Sequence, residues 1–490
     1  MTVWFDVEDL FHHQRSGAKR VSGIQRLTLE IYRAAVALEG TRGGIGFVRH
    51  GSGPGGLVPV AWADVEAGFA EPAPSVTSPA LQAPVTRSRL SARRIARQAA
   101  NTLPLHIKGP LVLGGVLQVQ AVAAGLHSVA RLVLFPVAVG LRWGTAGIAH
   151  AAAWLRQPSA PPAPPRSAPP PFAQPGDTLL VLGSPWFRDY APVARHVRDI
   201  WRMRFGVLVH DLVPVRHPEW CHEGIVRTVG PWYAAVLPYC DLVLANSAHT
   251  AADVEAFAHE RGIALPGPVR PVPVGTGYNA PPPGPRPQAA REMVLFVSTM
   301  EARKNHALVV RVWRRLLADV TAGRRTADTV PDLVFAGRVG WLVADLVQQL
   351  DNTGWLGGRV RMVENPSDAE LRTLYEGALF TVFPSFYEGF GLPVSESLAF
   401  GTPCLSSNAA ALPEAGGTLA RYFDPDDAGS AYRAVAALLD DRPALEAWRA
   451  EVRRDFKPTP WSDTAAAVLA ACARPGPHGT DAAPPGSDGR

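Results

Sequence analysis

Cysteine is scarce in this chain. Cys221, Cys240, Cys404 and Cys472 are scattered, with neither the density of a disulfide scaffold nor the paired spacing of a zinc site, so a reducing compartment is expected. A block of like charge is also missing. The 48 Lys and Arg against 43 Asp and Glu leave a net charge of +5, and no basic run tracks a nucleic-acid backbone, which argues against a nucleic-acid partner. The opening MTVWFDVEDL carries acidic residues at once and lacks the sections of a secretion signal, so cytoplasmic residence is the expectation. Residues 109–130 contain no Lys, Arg, Asp or Glu and approach membrane-helix length with the LVLFPVAVGL that follows, but paired glycines and polar residues point instead to buried or interfacial helices. No fixed-period repeat is evident.

What the chain has in abundance is proline and glycine, 47 and 45 among 490 residues, alongside a 47% apolar content sufficient for a large core. Two to four structural units joined by long connections are implied. Residues 155–175 hold nine prolines in 21 positions, an extended loop that can continue neither helix nor ladder. A second proline-rich stretch, APPPGPRPQAA at 280–290, lies between strand-like segments and is the candidate linker. Before it, strands are expected around 178–182, 205–210, 241–245 and 269–274. After it, MVLFV, DLVFAG, VRMVE, LFTVF and PCLSS alternate with helical periods. The expectation is α/β, with two Rossmann-like halves: 1–280 with an insertion at about 65–175, a linker at 281–290, a second half at 291–452, a terminal helix at 453–474 returning to the first half, and a disordered tail at 475–490.

Local start signals support the helices. Ser367 and Glu370 have capping-box spacing, and the helix through Val254 and Phe257 starts at either Ser247 or Thr250.

In an open parallel sheet, ligands sit beyond the carboxyl ends of the strands, where helix N-termini present free N–H groups. Three such loops concentrate chemistry: VLVHDLVP at 207–214, VSTMEARKNH at 297–306 and VFPSFYEGFGLPVSESLAFGTP at 382–403. In the third, Glu388 sits beside Gly389 and Gly391, Pro393 suits a first helical turn, and Glu396 lies on the helix that follows. Two carboxylates split between loop and helix can accept hydrogen bonds from different parts of a polyhydroxyl ligand; surface glutamates around a glycine turn are the plain alternative.

Ser385 to Pro393, with Glu396, Ala399, Gly401 and Pro403, resembles the C-terminal signature of the retaining glycosyltransferases of the GT-B fold, which include bacterial mannosyltransferases. STMEARKNH resembles their RKN-type members, and Gly337 to Trp341 resembles their next strand-to-helix turn. The resemblance implies two Rossmann-like domains facing an interdomain cleft, with an N-terminal-domain insertion. It also implies metal-independent transfer of a hexosyl group from a nucleoside-diphosphate sugar, GDP-mannose being the first donor expected, to a glycan or lipid-linked acceptor in polysaccharide biosynthesis. No cofactor is implied. A nucleotide-sugar epimerase or hydrolase, or a catalytically silent nucleotide-sugar-binding protein, is the alternative.

On that resemblance Glu388, His210 and Lys304 are the catalytic candidates. Glu396, Arg303, Gly389, Phe390, Gly391, Leu392, Arg338 and Gly337 would hold the donor, and Gly23, Asp211 and Arg26 the acceptor side. Lys304 matches the lysine near the diphosphate, Glu388 the residue near the transferred sugar, and Glu396 the one at the donor ribose. His210 and Asp211 match the position facing sugar and acceptor. Ser298 and Thr299 stand where many relatives carry an arginine, leaving the diphosphate to Lys304, Arg303 and helix amides. Asp424-Pro425-Asp426 is not read as a metal motif, and no metal site is expected. Arg87, Arg89, Arg93, Arg94 and Arg97 precede the charge-poor stretch and could bring an amphipathic segment to the anionic inner face of the cell membrane, although a helical insertion packed on the N-terminal half is the preferred reading.

Overall fold

Two runs of short strands, those near the centre Val- and Leu-rich and buried, build two sheets. The computed structural model describes residues 1–15, 23–39, 44–51, 56–69, 172–277 and 291–473. The expectations for the linker and the tail fall outside them, as do those for all but the ends of the insertion and for the 155–175 loop before residue 172.

The first sheet contains β1 (Val3–Asp6), β2 (Ile45–His50), β3 (Leu57–Val60), β4 (Thr178–Val181), β5 (Arg204–Val209), β6 (Leu242–Ala245) and β7 (Arg270–Pro271) in the order β3-β2-β1-β4-β5-β6-β7. Only the β2–β3 pair is antiparallel. The second contains β8 (Met293–Val297), β9 (Asp332–Gly337), β10 (Val360–Glu364), β11 (Thr381–Phe383), β12 (Cys404–Ser407) and β13 (Arg421–Phe423) in the order β10-β9-β8-β11-β12-β13, parallel throughout. These are two Rossmann-like sheets in the GT-B arrangement. Each has a point where strand order reverses, between β1 and β4 in the first and between β8 and β11 in the second, and an open α/β sheet leaves its ligand crevice there.

The helix His306–Thr321 shows how the second sheet is covered. Its Leu308, Val309, Val312, Trp313 and Leu316 recur at helical spacing and are buried with Phe296, Phe335 and Phe383 from the strands. Burying each such side chain contributes about 1.5–3 kcal/mol, and Trp313 Nε1 donates to the Pro331 carbonyl at 2.9 Å, leaving no unpaired polar atom on the indole. The helix Asp368–Gly377 starts with the expected capping box between Ser367 and Glu370. For the helix Ala248–Glu260 the cap is Ser247, whose hydroxyl accepts the Thr250 N–H at 2.9 Å.

The helix Trp461–Ala473 belongs to the core of the first sheet although it follows the second in sequence. Ala465, Val468 and Cys472 are buried with Leu27, Tyr32, Leu180 and Leu244. Trp461 Nε1 donates to the Gly277 carbonyl at 2.8 Å, and Arg204 Nη1 donates to the Cys472 carbonyl at 2.5 Å. Among the described residues, no helix is long and apolar enough to cross a membrane.

Candidate functional site

The loops after β8 and β11, the two strands flanking the reversal point of the second sheet, bring three ionic groups together. Glu388 follows β11 and is buried. Its Oε2 accepts from Arg303 Nη1 and its Oε1 from Lys304 Nζ, both at 2.6 Å. Arg303 is anchored on its other edge, where Nη2 and Nε donate to Glu301 Oε1 at 2.8 and 3.1 Å, and Nη1 also donates to the Tyr387 carbonyl at 2.6 Å. Glu301, which the sequence reading passed over, thus fixes the guanidinium that faces Glu388.

Asn305 was passed over as well. It adopts left-handed backbone (φ 58°), which Asn tolerates better than most residues, between the short turn Ala302–Lys304 and the helix His306–Thr321. Its Nδ2 donates to the carbonyls of Pro384 at 3.2 Å and Pro425 at 3.1 Å, tying the β8 loop to those after β11 and β13. A lone Asn following Arg-Lys was the available signal.

The electrostatics follow from this packing. Burial opposes ionisation of Glu388, but the Arg303 and Lys304 charges and the Lys304 hydrogen bond outweigh it and bring the carboxyl to about 2. Burial and the neighbouring Arg303 charge lower the Lys304 ammonium from its ordinary value, with Glu388 pulling the other way. Burial would lower Arg303 too, yet Glu388, Glu301 and Asp211 together raise it. Because the Glu388 carboxyl titrates lower in the folded protein than its ordinary 4.5, its stabilising contribution is present above about 4.5 and lost as the pH falls toward about 2. The melting temperature of the Glu388→Gln variant should therefore lie below that of the unaltered protein at neutral pH, with the gap closing across this window; a gap independent of pH would contradict the ionic cluster.

His210 and Asp211 follow β5. The His210 ring is buried, its Nε2 donates to the Leu182 carbonyl at 2.6 Å, and burial lowers its pKa despite that bond, which favours the neutral ring. The Leu182 carbonyl, rather than Asp211, orients the imidazole. Asp211 Oδ1 instead accepts the Val213 N–H at 3.2 Å; burial raises its pKa and the Arg303 charge opposes the rise.

Gly389 joins the two halves. A Cβ at this position would overlap the His210 carbonyl oxygen, so only glycine allows the approach. Its own carbonyl accepts from Ser247 Oγ at 2.6 Å and Thr250 Oγ1 at 3.1 Å. Beside it, Tyr387 OH bonds Asp253 and meets His249 Nε2 at 3.0 Å, while Glu414 accepts the N–H groups of Ala248 and His249 at 2.7 and 2.9 Å. Phe390 and Leu392 both pack against the core of the first sheet, which makes them apolar contacts between the halves. Gly391 supplies the left-handed cap (φ 117°) of the helix Leu392–Ala399.

Glu396 lies on that helix and keeps different company from Glu388. It accepts from Tyr375 OH at 3.0 Å and lies 3.8 Å from Arg26 Nη1; burial raises its pKa against the Arg26 charge and the Tyr375 bond. Arg26, on the helix Ile24–Glu39, also pairs with Asp368. Gly23 immediately precedes this helix in left-handed backbone (φ 54°). Gly337 packs so tightly that a Cβ would overlap the Ser298 carbonyl oxygen, so the position requires glycine. The Arg338 side chain is exposed, and its carbonyl accepts the Met300 N–H at 2.8 Å. The arrangement as a whole presents two half-buried cations and two buried carboxylates at one reversal point, with Asp211 of the other half near enough to feel the Arg303 charge.

Residues 285–455 match the family Glycosyl transferases group 1. The serotype-specific mannosyltransferase WbdA of Escherichia coli is 30% identical over 250 residues, 48% of this chain and 30% of that protein. The O-antigen chain mannosyltransferase B of Escherichia coli is 34% identical over 155 residues, 32% of this chain and 38% of that protein. The chain thus spans about a third of the length of these relatives. Among solved structures, TarM aligns with a TM-score of 0.46 at 12% identity, covering 61% of this chain and 55% of that one. The segment that matches the family model contains Arg303, Lys304, Glu388 and Glu396. Among the described residues, no group of three or more His, Cys, Asp or Glu is placed to hold a metal ion.

Proposed function

We propose that this protein is a retaining glycosyltransferase that moves a hexosyl group, mannosyl in the first instance, from a nucleoside-diphosphate sugar such as GDP-mannose to a glycan or lipid-linked acceptor. The observation that carries this reading is the Arg303–Glu388–Lys304 cluster at the reversal point of the second sheet, held against His210 through Gly389. Arg303 and Lys304 are the cations nearest to where a donor diphosphate would lie, and once it binds they offset the charge that grows on the leaving group. Glu388 places them and accepts hydrogen bonds from the transferred sugar. Glu396 exchanges its partners for the donor ribose, and the neutral His210 with Asp211 faces the acceptor. For transfer with retention, the donor phosphate takes the acceptor proton, so no protein carboxylate is needed as a base.

The test is incubation of the purified protein with a panel of nucleotide sugars and glycan acceptors, followed by product mass and NMR assignment of the new anomeric centre. The expected product is one added hexose with the donor's anomeric configuration. Inverted configuration would reject the mechanism, and donor turnover that ignores the acceptor would reassign the protein as a hydrolase or epimerase.

A further inference from the structure

Beside the ionic cluster, on the face formed by the helices His306–Thr321 and Ala344–Asn352, lies an open groove of about 750 Å³ that the proposed transfer does not use. Ala307, Val310, Arg311 and Arg314 follow one another at helical spacing along one wall, and Leu342 and Leu346 line the other. Arg311 and Arg314 are exposed and, among the described residues, have no ion-pair partner. Elsewhere, arginines of the described halves are commonly paired, as Arg26, Arg303 and Arg216 are.

Three further features favour an anion. The groove reaches the first turns of both helices, and neither turn is capped by a side chain, so the positive ends of two helix dipoles converge on it. Of the two acidic lining residues, Glu301 is already neutralised by Arg303 at 2.8 Å, which leaves only the exposed Asp345. His306 also lines the groove. It is buried, its Nε2 lies 3.2 Å from Ser298 Oγ, and its Nδ1 has no hydrogen-bond partner. In the tautomer that accepts from Ser298, Nδ1 carries the ring proton and is an unused donor.

The volume and the opposite wall settle what kind of anion. A bare phosphate would leave most of the groove empty, whereas the space is of the size that holds an organic ligand. Leu342 is 59% exposed and offers an apolar surface that a lone ion would not cover. We propose that this groove is a second binding site for an organic phosphate ester, with the phosphate on Arg311 and Arg314 and the organic portion against Leu342 and Leu346. The ester can be a soluble sugar or glycerol phosphate, or the headgroup of an anionic lipid. The proposed ligand contacts are separate from the transfer reading, since Arg311, Arg314, Leu342 and Leu346 are not part of the Glu388 cluster; Glu301, which anchors Arg303, is the lining residue the two share.

Calorimetric titration of the full chain with glycerol phosphate, a hexose 6-phosphate and inorganic phosphate, together with co-sedimentation on phosphatidylglycerol and phosphatidylcholine vesicles, distinguishes the sources. Arg311→Ala/Arg314→Ala should weaken ester binding by roughly tenfold or more, as expected for losing charge-assisted hydrogen bonds. Both positions are exposed, so folding is not at stake, and nucleoside-diphosphate binding should be unchanged. Capture only by phosphatidylglycerol vesicles, lost in the double variant, would identify the lipid headgroup as the source. The proposal is overturned if neither esters nor anionic vesicles bind, if the double variant binds them as well as the unaltered protein, or if inorganic phosphate binds as tightly as every ester.

Discussion

Replacing Glu388 with Gln should lower glycosyl transfer by roughly 100- to 1000-fold, the range seen when one preorganised electrostatic group is removed from an active site. The carboxylate is the common acceptor for Arg303 Nη1 and Lys304 Nζ. Arg303 keeps Glu301 when the charge is lost, whereas Lys304 loses the carboxylate that opposes its burial. Lys304 then holds its proton less well, and the charge available to a departing diphosphate falls. Glu388→Ala goes further by leaving the two half-buried cations without that buried partner, and a loss of up to about 3–5 kcal/mol in stability is expected, as when one member of a buried ion pair is removed. Comparing the two variants separates the effects. Both should lose activity, but the alanine variant should melt well below the glutamine one. Transfer rates equal to the unaltered protein in a folded Glu388→Gln variant would show that the cluster is structural only.

The second large effect is expected from the smallest substitution. Gly389→Ala places a methyl group where the His210 carbonyl oxygen lies, and that oxygen is backbone, which cannot rotate away. The loop after β11 must withdraw, weakening the bonds from Ser247 and Thr250 to the Gly389 carbonyl. Glu388, one residue earlier, moves with it. A displacement of roughly 1 Å can cost about 100-fold in rate, and a drop of that order in kcat is expected. The two sheets keep their own cores, so cooperative unfolding should persist while small-angle scattering reports a more open molecule. Unaltered kcat together with unaltered scattering would refute the close-approach argument.

Much of the architecture was legible because it rests on local chemistry. The runs MVLFV, DLVFAG, VRMVE and PCLSS became β8, β9, β10 and β12, and Ser367 with Glu370 formed the capping box, since strand burial and helix capping depend on neighbours a few residues away. The loop carrying Arg303 and Lys304 and the loop carrying Glu388 stood out for the same reason: each follows a strand and concentrates groups that a connection does not need.

The partners of those groups were not legible. Local sequence does not say that Glu301 anchors Arg303, that Arg26 reaches Asp368 and Glu396, or that Phe390 and Leu392 pack on the first sheet. Nor does it say that Gly337 lies against the Ser298 carbonyl. Nor does it show that the Leu182 carbonyl, at the end of β4, orients His210 at the end of β5.

The sequence by itself determined the periodic elements and the residue types gathered in each strand-to-helix loop, because hydrophobic period, capping and turn chemistry act over one or two turns of chain. Only the tertiary structure decided which loops meet. Strand order puts β8 next to β11 and β4 next to β5, and the contact at Gly389 sets the second half against the first; these are pairings between distant segments, selected by burial of whole faces and not by any local signal.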